Sequence, residues 1–203
     1  MGLDGIILAG GKSRRLGTDK TIVRLGNSRL VDIALETISS VVDSIIIVTN
    51  SPQLFEGLPA RVVTDVQPGT GPLGGILTGL LLGEHEHALV VACDMPFLNV
   101  GLLQHMARQV DGYDVVMPRV DDTLEPLHAI YSHHCVEPIR RLLAEGDLRI
   151  VDIINVLNEV RVRYIDKDEI DMFDPSRLSF FNINTSDDLE RARAEYDRRC
   201  GRR

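Results

Sequence analysis

The sequence predicts a three-layer α/β/α fold, in which helices cover both faces of an open, mostly parallel sheet. Strand-length β-branched runs alternate with helical apolar stripes through the first 118 residues, as in parallel sheets joined by helical crossovers. The chain of 203 residues is 44% apolar and 26% charged, which is enough for one substantial core but short for two. Ligands of such a fold bind at the carboxyl ends of the strands.

The elements expected in the first half alternate regularly. Residues 5–9 make a short β-branched run that ends in two glycines, typical of a buried strand feeding a turn. Residues 30–41 carry a helical apolar stripe, and the β-branched run 44–49 completes a βαβ unit. Further strands are expected at 61–64, 88–92 and 114–118, with helices at 75–82 and 100–110.

After residue 120 the pattern is less regular. It predicts strands at 126–131 and 160–164 and helices at 136–144, 150–157 and 187–199. The basic tail 198–203 is expected to be a solvated end rather than a binding arm. Because the sequence contains neither a linker nor a repeat, we expect a single domain over residues 1–203.

Charge and hydropathy exclude two classes of partner. The formal net charge of −8 leaves too small a share of Lys and Arg for a nonspecific nucleic-acid surface. No segment approaches the roughly 20 uninterrupted apolar residues of a membrane span, and residues 1–9 lack the basic region of a signal peptide. We therefore expect a cytoplasmic protein that binds neither nucleic acid nor membrane.

The cysteines and histidines do not indicate a metal site. Cys93, Cys135 and Cys200 lie far apart and are odd in number, which favours reduced thiols over disulfides or zinc ligands. The paired histidines are expected to be solvated, in a loop or at the surface: His85 with His87, and His133 with His134.

A glycine pair directly follows the first expected strand, within residues 8–20, Leu-Ala-Gly-Gly-Lys-Ser-Arg-Arg-Leu-Gly-Thr-Asp-Lys. Gly10 and Gly11 allow the backbone to approach a phosphate and to point N–H groups at it, while Arg15 and Lys20 add positive charge. The stretch is neither a Walker loop nor a dinucleotide fingerprint. The glycine pair alone is typical of a flexible turn, but with these cations it predicts phosphate binding.

A second loop, residues 65–76, follows the third expected strand and is rich in glycine and proline. A helix leaves this loop, so its free N–H groups are expected beside an anion or a base edge. The alternative is a purely structural turn. Asp65 opens the loop, and its carboxylate can accept hydrogen bonds from the N–H donors of a base. Whether Asp65 or a backbone carbonyl accepts them stays open.

A single carboxylate follows the buried strand 88–92. Asp94 stands in the segment Cys-Asp-Met-Pro, at the expected carboxyl edge of the sheet, where a cation would compensate its charge. Mg²⁺ usually takes only one or two carboxylates and completes its shell with phosphate oxygens and water. The alternative role for Asp94 is a helix cap, which Asn99 fits better by its spacing.

The segments together resemble one enzyme family. Residues 8–20 are similar to the Leu-x-Gly-Gly-x-x-x-Arg-Met-Gly-x-x-Lys signature of nucleotidyltransferases that use an NTP and release pyrophosphate. Leu16 replaces the family's Met, a nearly volume-conserving change. Asp19 before Lys20 and the Gly-Pro-Leu segment favour the molybdopterin guanylyltransferase branch, and the segment at Asp94 is similar to the Cys-Asp-x-Pro motif of the wider family. This resemblance spans residues 6–189 and implies the nucleotide-diphospho-sugar transferase fold.

The resemblance implies that the chain transfers GMP from MgGTP to the terminal phosphate of molybdopterin and releases pyrophosphate. It implies catalytic roles for Arg15, Lys20 and Asp94, the last as ligand of Mg²⁺. The expected nucleotide contacts are Leu8, Ala9, Gly10, Gly11, Lys20, Asn50, Asp65, Gly71, Gly75 and Asp94. Residues 125–131 and 180–185 are expected to face the acceptor through His128, Asn182 and Asn184, although His128 could equally be a buried structural residue and Asn184 part of a turn.

The same resemblance implies which part of the chain binds each substrate. The nucleotide-binding part is expected at about 1–118 and the acceptor-binding part at about 119–190. The partners are GTP and molybdopterin or molybdenum cofactor, with a cofactor-delivery protein or the receiving molybdoenzyme as further candidates. Two alternatives stay open: a sister transferase using CTP or a sugar phosphate, against which the Gly-Pro-Leu segment argues, and a noncatalytic nucleotide-binding protein.

Overall fold

The computed structural model of the protein describes residues 2–10, 23–146 and 158–200. Its strands are β1 (Leu3–Leu8), β2 (Arg24–Leu25), β3 (Ser28–Arg29), β4 (Ser44–Thr49), β5 (Arg61–Thr64), β6 (His87–Ala92), β7 (Val115–Val120), β8 (Thr123–Leu124), β9 (His128–Ser132) and β10 (Val162–Asp166). Its α-helices are α1 (Leu30–Ile38), α2 (Gly71–Leu82), α3 (Val100–Ala107), α4 (Val136–Ala144), α5 (Lys167–Phe173) and α6 (Ser186–Cys200).

The main sheet has the strand order β10-β7-β9-β6-β1-β4-β5, with β8 paired to β7. β1 runs parallel to both β4 and β6, whereas β9 is antiparallel to its neighbours β6 and β7. From β1 the chain adds β4 and β5 on one side and β6 on the other. A topological switch point therefore lies between β1 and β6, where open α/β sheets bind their ligands.

Successive residues of β1 pack into different apolar layers, because side chains alternate across a strand. Ile6 and Ile7 are both fully buried. Ile6 packs in the layer that contains residues of α2 and α4, and Ile7 in the layer that contains residues of α1, α3 and α5. The sheet is thus covered on both faces, and its strand ends are left as the place for a site.

The expected fold class is confirmed, and several element bounds are corrected. β4, β5 and α4 begin and end where the sequence predicts. α1 and α3 end earlier than expected, at Ile38 and Ala107, and α2 begins earlier, at Gly71, since Pro72 is accepted in a first helical turn. The expected helix 150–157 lies outside the described residues. The single-domain organisation and its division near residue 118 stay predictions.

The expectation of a solvated loop is wrong for His87, whereas His85 lies in the connection before β6 and is half-buried. β6 begins at His87, which is 7% exposed, and its Nε2 atom lies 3.0 Å from the carbonyl oxygen of Tyr113. His85 Nδ1 lies 2.7 Å from the carboxylate of Asp4. The His85 imidazole satisfies the buried carboxylate of Asp4, a contact between distant residues that a polar sequence pattern does not reveal. His133 and His134 are exposed, as expected.

The Asp4 carboxylate is a buried charge at the amino edge of the sheet. It accepts hydrogen bonds from Ser44 Oγ at 2.6 Å and from the backbone N–H groups of Glu84 and His85 at 2.7 and 2.8 Å. Burial raises the pKa of Asp4, but these bonds and the His85 imidazole outweigh it and lower the pKa overall. The hydrogen bond to Asp4 in turn raises the pKa of His85.

This pair predicts a pH-dependent contribution to stability. Because the pKa of His85 is raised on folding, its contribution is fully present below pH of about 6.5 and is lost as the pH rises through the raised value. We expect His85→Gln to lower the free energy of unfolding more at pH 5.5 than at pH 9, measured by urea unfolding. A penalty of the same size at both pH values would contradict the pairing.

The described cysteine side chains agree with the expected reduced state. Cys93 and Cys135 are buried reduced thiols, and burial raises the pKa of Cys135 to about 12, so this thiol is unreactive. Among the described residues, none of the helices combines the length and the apolar character needed to cross a membrane.

Candidate active site

The peptides that follow β1 and β6 come together at the switch point. Cys93 N–H donates to the carbonyl oxygen of Leu8 at 3.1 Å, and Ala9 N–H donates to Val48 at 2.9 Å. Gly10 is exposed, and a Cβ built on it meets no atom of the described residues within 4 Å. A ligand can therefore approach the Gly10 backbone closely, as the glycine-rich turn predicts.

Asp94 lies half-buried directly beside this turn. Its backbone carbonyl accepts a hydrogen bond from Ile183 N–H at 3.0 Å, and Met95 N–H bonds back to Ala92 at 3.3 Å. The cap of α3 is Asn99, whose Oδ1 accepts from Leu102 N–H at 3.0 Å, as the spacing predicted. The carboxylate of Asp94 is therefore not committed to capping that helix.

Asp65 directly follows β5, and its carboxylate contacts a residue of α2. Thr78 Oγ lies 2.9 Å from Asp65 Oδ1, and Gln67 N–H donates to the same oxygen at 2.9 Å. The other oxygen, Oδ2, lies 3.2 Å from the position of a Cβ built on Gly74. The fully buried Thr78 was missed by sequence reasoning, although a single hydroxyl in an otherwise apolar helix is a signal for such a role.

Of the remaining expected nucleotide contacts, Asn50 and Gly71 are exposed, whereas Gly75 is buried. Asn50 directly follows Thr49 at the end of β4. Thr49 pairs with Thr64, which directly precedes Asp65. Asn50 and Asp65 are therefore neighbours at the edge of the sheet. Gly71 is exposed at the first turn of α2 with φ of +66°. Gly75 is buried, and a Cβ on it would lie 2.9 Å from Leu8, so its visible role is close packing of α2 on β1.

The asparagine segment is tied to Asp94 by its backbone. Asn182 and Asn184 flank Ile183, whose N–H bonds to the Asp94 carbonyl. Asn182 is half-buried and its amide donates to Phe180 at 3.1 Å, whereas Asn184 is exposed. Thr185 and Asp188 exchange hydrogen bonds of 3.0 and 3.1 Å as the expected cap of α6.

His128 is a core residue in this structure. The residue is fully buried, its ring centroid lies 5.0 Å from that of Phe180, and both ring nitrogens lack a hydrogen-bond partner among the described residues. Burial lowers its pKa to about 4, so the imidazole is neutral. The acceptor contact expected from His128 stays a prediction, and the buried structural alternative describes its present position.

Three expected site residues lie outside the described part of the chain: Gly11, Arg15 and Lys20. Within the described ranges, no group of three or more His, Cys, Asp or Glu side chains could hold a metal ion. A single carboxylate can share Mg²⁺ with substrate phosphates, since Mg²⁺ retains water and phosphate ligands. Asp94 is the described carboxylate beside the glycine turn.

The fold and this edge define the class of protein. A mostly parallel α/β sheet places an exposed glycine turn, a separate carboxylate and an aspartate supported by a helix at the carboxyl ends of β1, β6 and β5, which is an arrangement for a nucleoside phosphate. Residues 5–160 match the model of the MobA-like NTP transferase domain. The chain belongs to this family, as the sequence resemblance predicted, and it is a nucleotidyltransferase.

Relatives of similar length share this class. The molybdenum cofactor guanylyltransferase of Desulfosudis oleivorans is 41% identical over 192 residues, covering 94% of each chain. The probable molybdenum cofactor guanylyltransferase of Pelotomaculum thermopropionicum is 36% identical, covering 93% of this chain and 91% of that protein. The crystal structure of molybdopterin-guanine dinucleotide biosynthesis protein A from Archaeoglobus fulgidus matches with a TM-score of 0.83 at 30% identity, covering 96% of this chain and 99% of that one.

Proposed function

We propose that the chain transfers GMP from GTP to the terminal phosphate of molybdopterin or molybdenum cofactor, the guanylyl transfer for which its relatives are named. The observation that carries the proposal is the meeting of the Gly10 turn and Asp94 at the switch point of the sheet. An acceptor phosphate oxygen bonds to the α-phosphorus of GTP. The bond from that phosphorus to the β-phosphate oxygen breaks, and pyrophosphate leaves.

The enzyme's task is to bring two polyanions together and to neutralise the charge of the leaving group. We assign the backbone N–H groups at Gly10 and Gly11 to phosphate oxygens, and Arg15 and Lys20 to the triphosphate. No protein nucleophile is required, because the acceptor phosphate is itself the nucleophile. Positioning and electrostatic stabilisation therefore account for the acceleration.

We assign Asp94 to hold Mg²⁺. The half-buried carboxylate beside the glycine turn suits a hard cation, which would find its remaining ligands among phosphate oxygens and water. When bound, Mg²⁺ supplies positive charge to the phosphates and orients them. Asp65 is the next candidate, but its Oδ1 is already engaged by Thr78 and Gln67, which favours a base contact instead.

The acceptor side of the proposal includes Asn182 and Asn184, whose amides suit a pterin edge or a phosphate. It extends to a cofactor-delivery protein or the receiving molybdoenzyme as a transient partner, and to a cytoplasmic location. Neither nucleic acid nor membrane takes part.

The proposal predicts a base preference that a nucleotide panel can measure. Because we assign the Asp65 carboxylate to the N–H donors of guanine, we expect GTP with Mg²⁺ to raise the melting temperature more than CTP, UTP or ATP. Binding at a hundredfold excess over Kd adds about 2.7 kcal/mol to the free energy of unfolding. Equal shifts for GTP and CTP would remove the guanylyl assignment.

A further inference from the structure

The turn that leads into β9 is fixed at every residue from 125 to 128. Four hydrogen bonds hold its backbone: Glu125 N–H to Pro118 at 3.1 Å, His128 N–H to Glu125 at 3.0 Å, Ala92 N–H to Leu127 at 3.2 Å, and Tyr131 O–H to Pro126 at 2.8 Å. Any group presented by this turn is therefore preorganised.

The side chain of Glu125, unlike the backbone of this turn, is not held by hydrogen bonds to the described residues. It is half-buried, and in the described residues its carboxyl group has neither a hydrogen bond nor an ion pair; burial raises its pKa to about 7. Nearby carboxylates at the same edge are paired, Asp121 with Arg177 at 3.1 Å and Asp166 with Arg119 at 2.8 Å. A desolvated carboxyl without a partner costs stability, so a ligand that satisfies it would explain its presence.

The strand order places Glu125 on the acceptor side. β9 is antiparallel to β6, with His128 opposite Val91, so the turn before β9 lies at the edge where β6 ends and Asp94 follows. The expected nucleotide contacts Gly10, Asn50 and Asp65 follow β1, β4 and β5, on the other side of β6. Along this edge Asp94 thus stands between the nucleotide contacts and Glu125.

We propose that the Glu125 carboxylate binds the pterin ring of the acceptor, accepting hydrogen bonds from its N3–H and 2-amino groups. Two adjacent donors on one ring edge match the two oxygens of a carboxylate. Guanine has a similar edge, but the carboxylate held for guanine, Asp65, lies on the opposite side of Asp94. This assignment rests on the proposed function, since it takes the acceptor to be a pterin.

Pterin and lumazine test the assignment, because lumazine carries an oxo group in place of the 2-amino group. Binding of each is measured by fluorescence titration, without GTP, for the wild type, Glu125→Gln and the control Asp122→Asn. Asp122 is exposed in the same connection with φ of +66°, a conformation that Asn tolerates. We expect the wild type and D122N to prefer pterin by about tenfold or more, and E125Q to lose that preference.

Two further readouts separate recognition from a structural role. E125Q should keep the GTP affinity of the wild type, and at pH 8 its free energy of unfolding should be equal or higher, because the desolvated charge is gone. A retained pterin preference in E125Q, no preference in the wild type, or an equal loss of GTP affinity would overturn the assignment. A chain that prefers pterin through Glu125 but transfers no GMP would overturn the proposed function alone.

Discussion

Asp94→Asn is expected to lower kcat by about 10²-fold or more while leaving the fold intact. The substitution keeps the shape of the side chain but removes the charge assigned to Mg²⁺, and loss of one such electrostatic contact costs about this much. The backbone bond from Ile183 to residue 94 does not depend on the side chain, so the asparagine segment stays in place. Steady-state kinetics and the melting temperature of the apo protein measure the two effects.

Asp111→Asn provides the matched control, because Asp111 is exposed in the turn after α3 and has no assigned role. Its kcat should equal that of the wild type. GTP should stabilise D94N less than the wild type when Mg²⁺ is present, and equally when Mg²⁺ is absent. Near-normal turnover of D94N would move the metal elsewhere and leave Asp65 as the next candidate.

Asp65→Asn is expected to reduce the preference for GTP over ATP by at least about tenfold. Asparagine can still accept from Gln67 N–H with its carbonyl oxygen, but its amide group then places N–H donors where guanine presents its own. Unpaired donors in a binding site are costly, whereas the triphosphate contacts are unchanged. Competition binding of GTP and ATP measures the ratio of the two affinities.

The affinity for ATP serves as the internal control, since a variant that is merely misfolded loses both nucleotides. Thr78→Val tests the support of Asp65, because it removes the hydroxyl near Oδ1 and keeps the carboxylate. We expect a smaller loss of GTP preference for T78V than for D65N. An unchanged GTP to ATP ratio in D65N would mean that another group, such as a backbone carbonyl, recognises the base.

Sequence reasoning predicted which edge of the sheet carries the candidate site residues, because the cues for their position are local. Residues directly after buried parallel strands must lie at the carboxyl edge, which placed Gly10, Asp65 and Asp94 correctly at the ends of β1, β5 and β6. The family resemblance, confirmed by the match over residues 5–160, supplied the reaction class. The roles of Arg15 and Lys20 depend on that resemblance and stay predictions.

What the sequence did not predict depends on contacts between distant residues. The antiparallel direction of β9 follows from its pairing with β6, and a short apolar run carries no directional signal. The support of Asp65 by Thr78 spans 13 residues. The lack of a partner for the Glu125 carboxyl among the described residues depends on tertiary packing, which the neighbouring sequence does not reveal. The β2–β3 hairpin was missed despite a local signal, Gly26-Asn27, with Gly26 at φ of +55°.

We propose that the chain transfers the α-phosphoryl group of GTP, with its guanosine, to a pterin phosphate. The most direct measurement incubates the protein with molybdopterin, Mg²⁺ and GTP labelled at either the α- or the γ-phosphate. We expect that the α-label enters a guanine dinucleotide product, that the γ-label leaves in pyrophosphate, and that CTP labels the product far less. An α-label that stays out of the acceptor product, or equal incorporation from CTP, would contradict it.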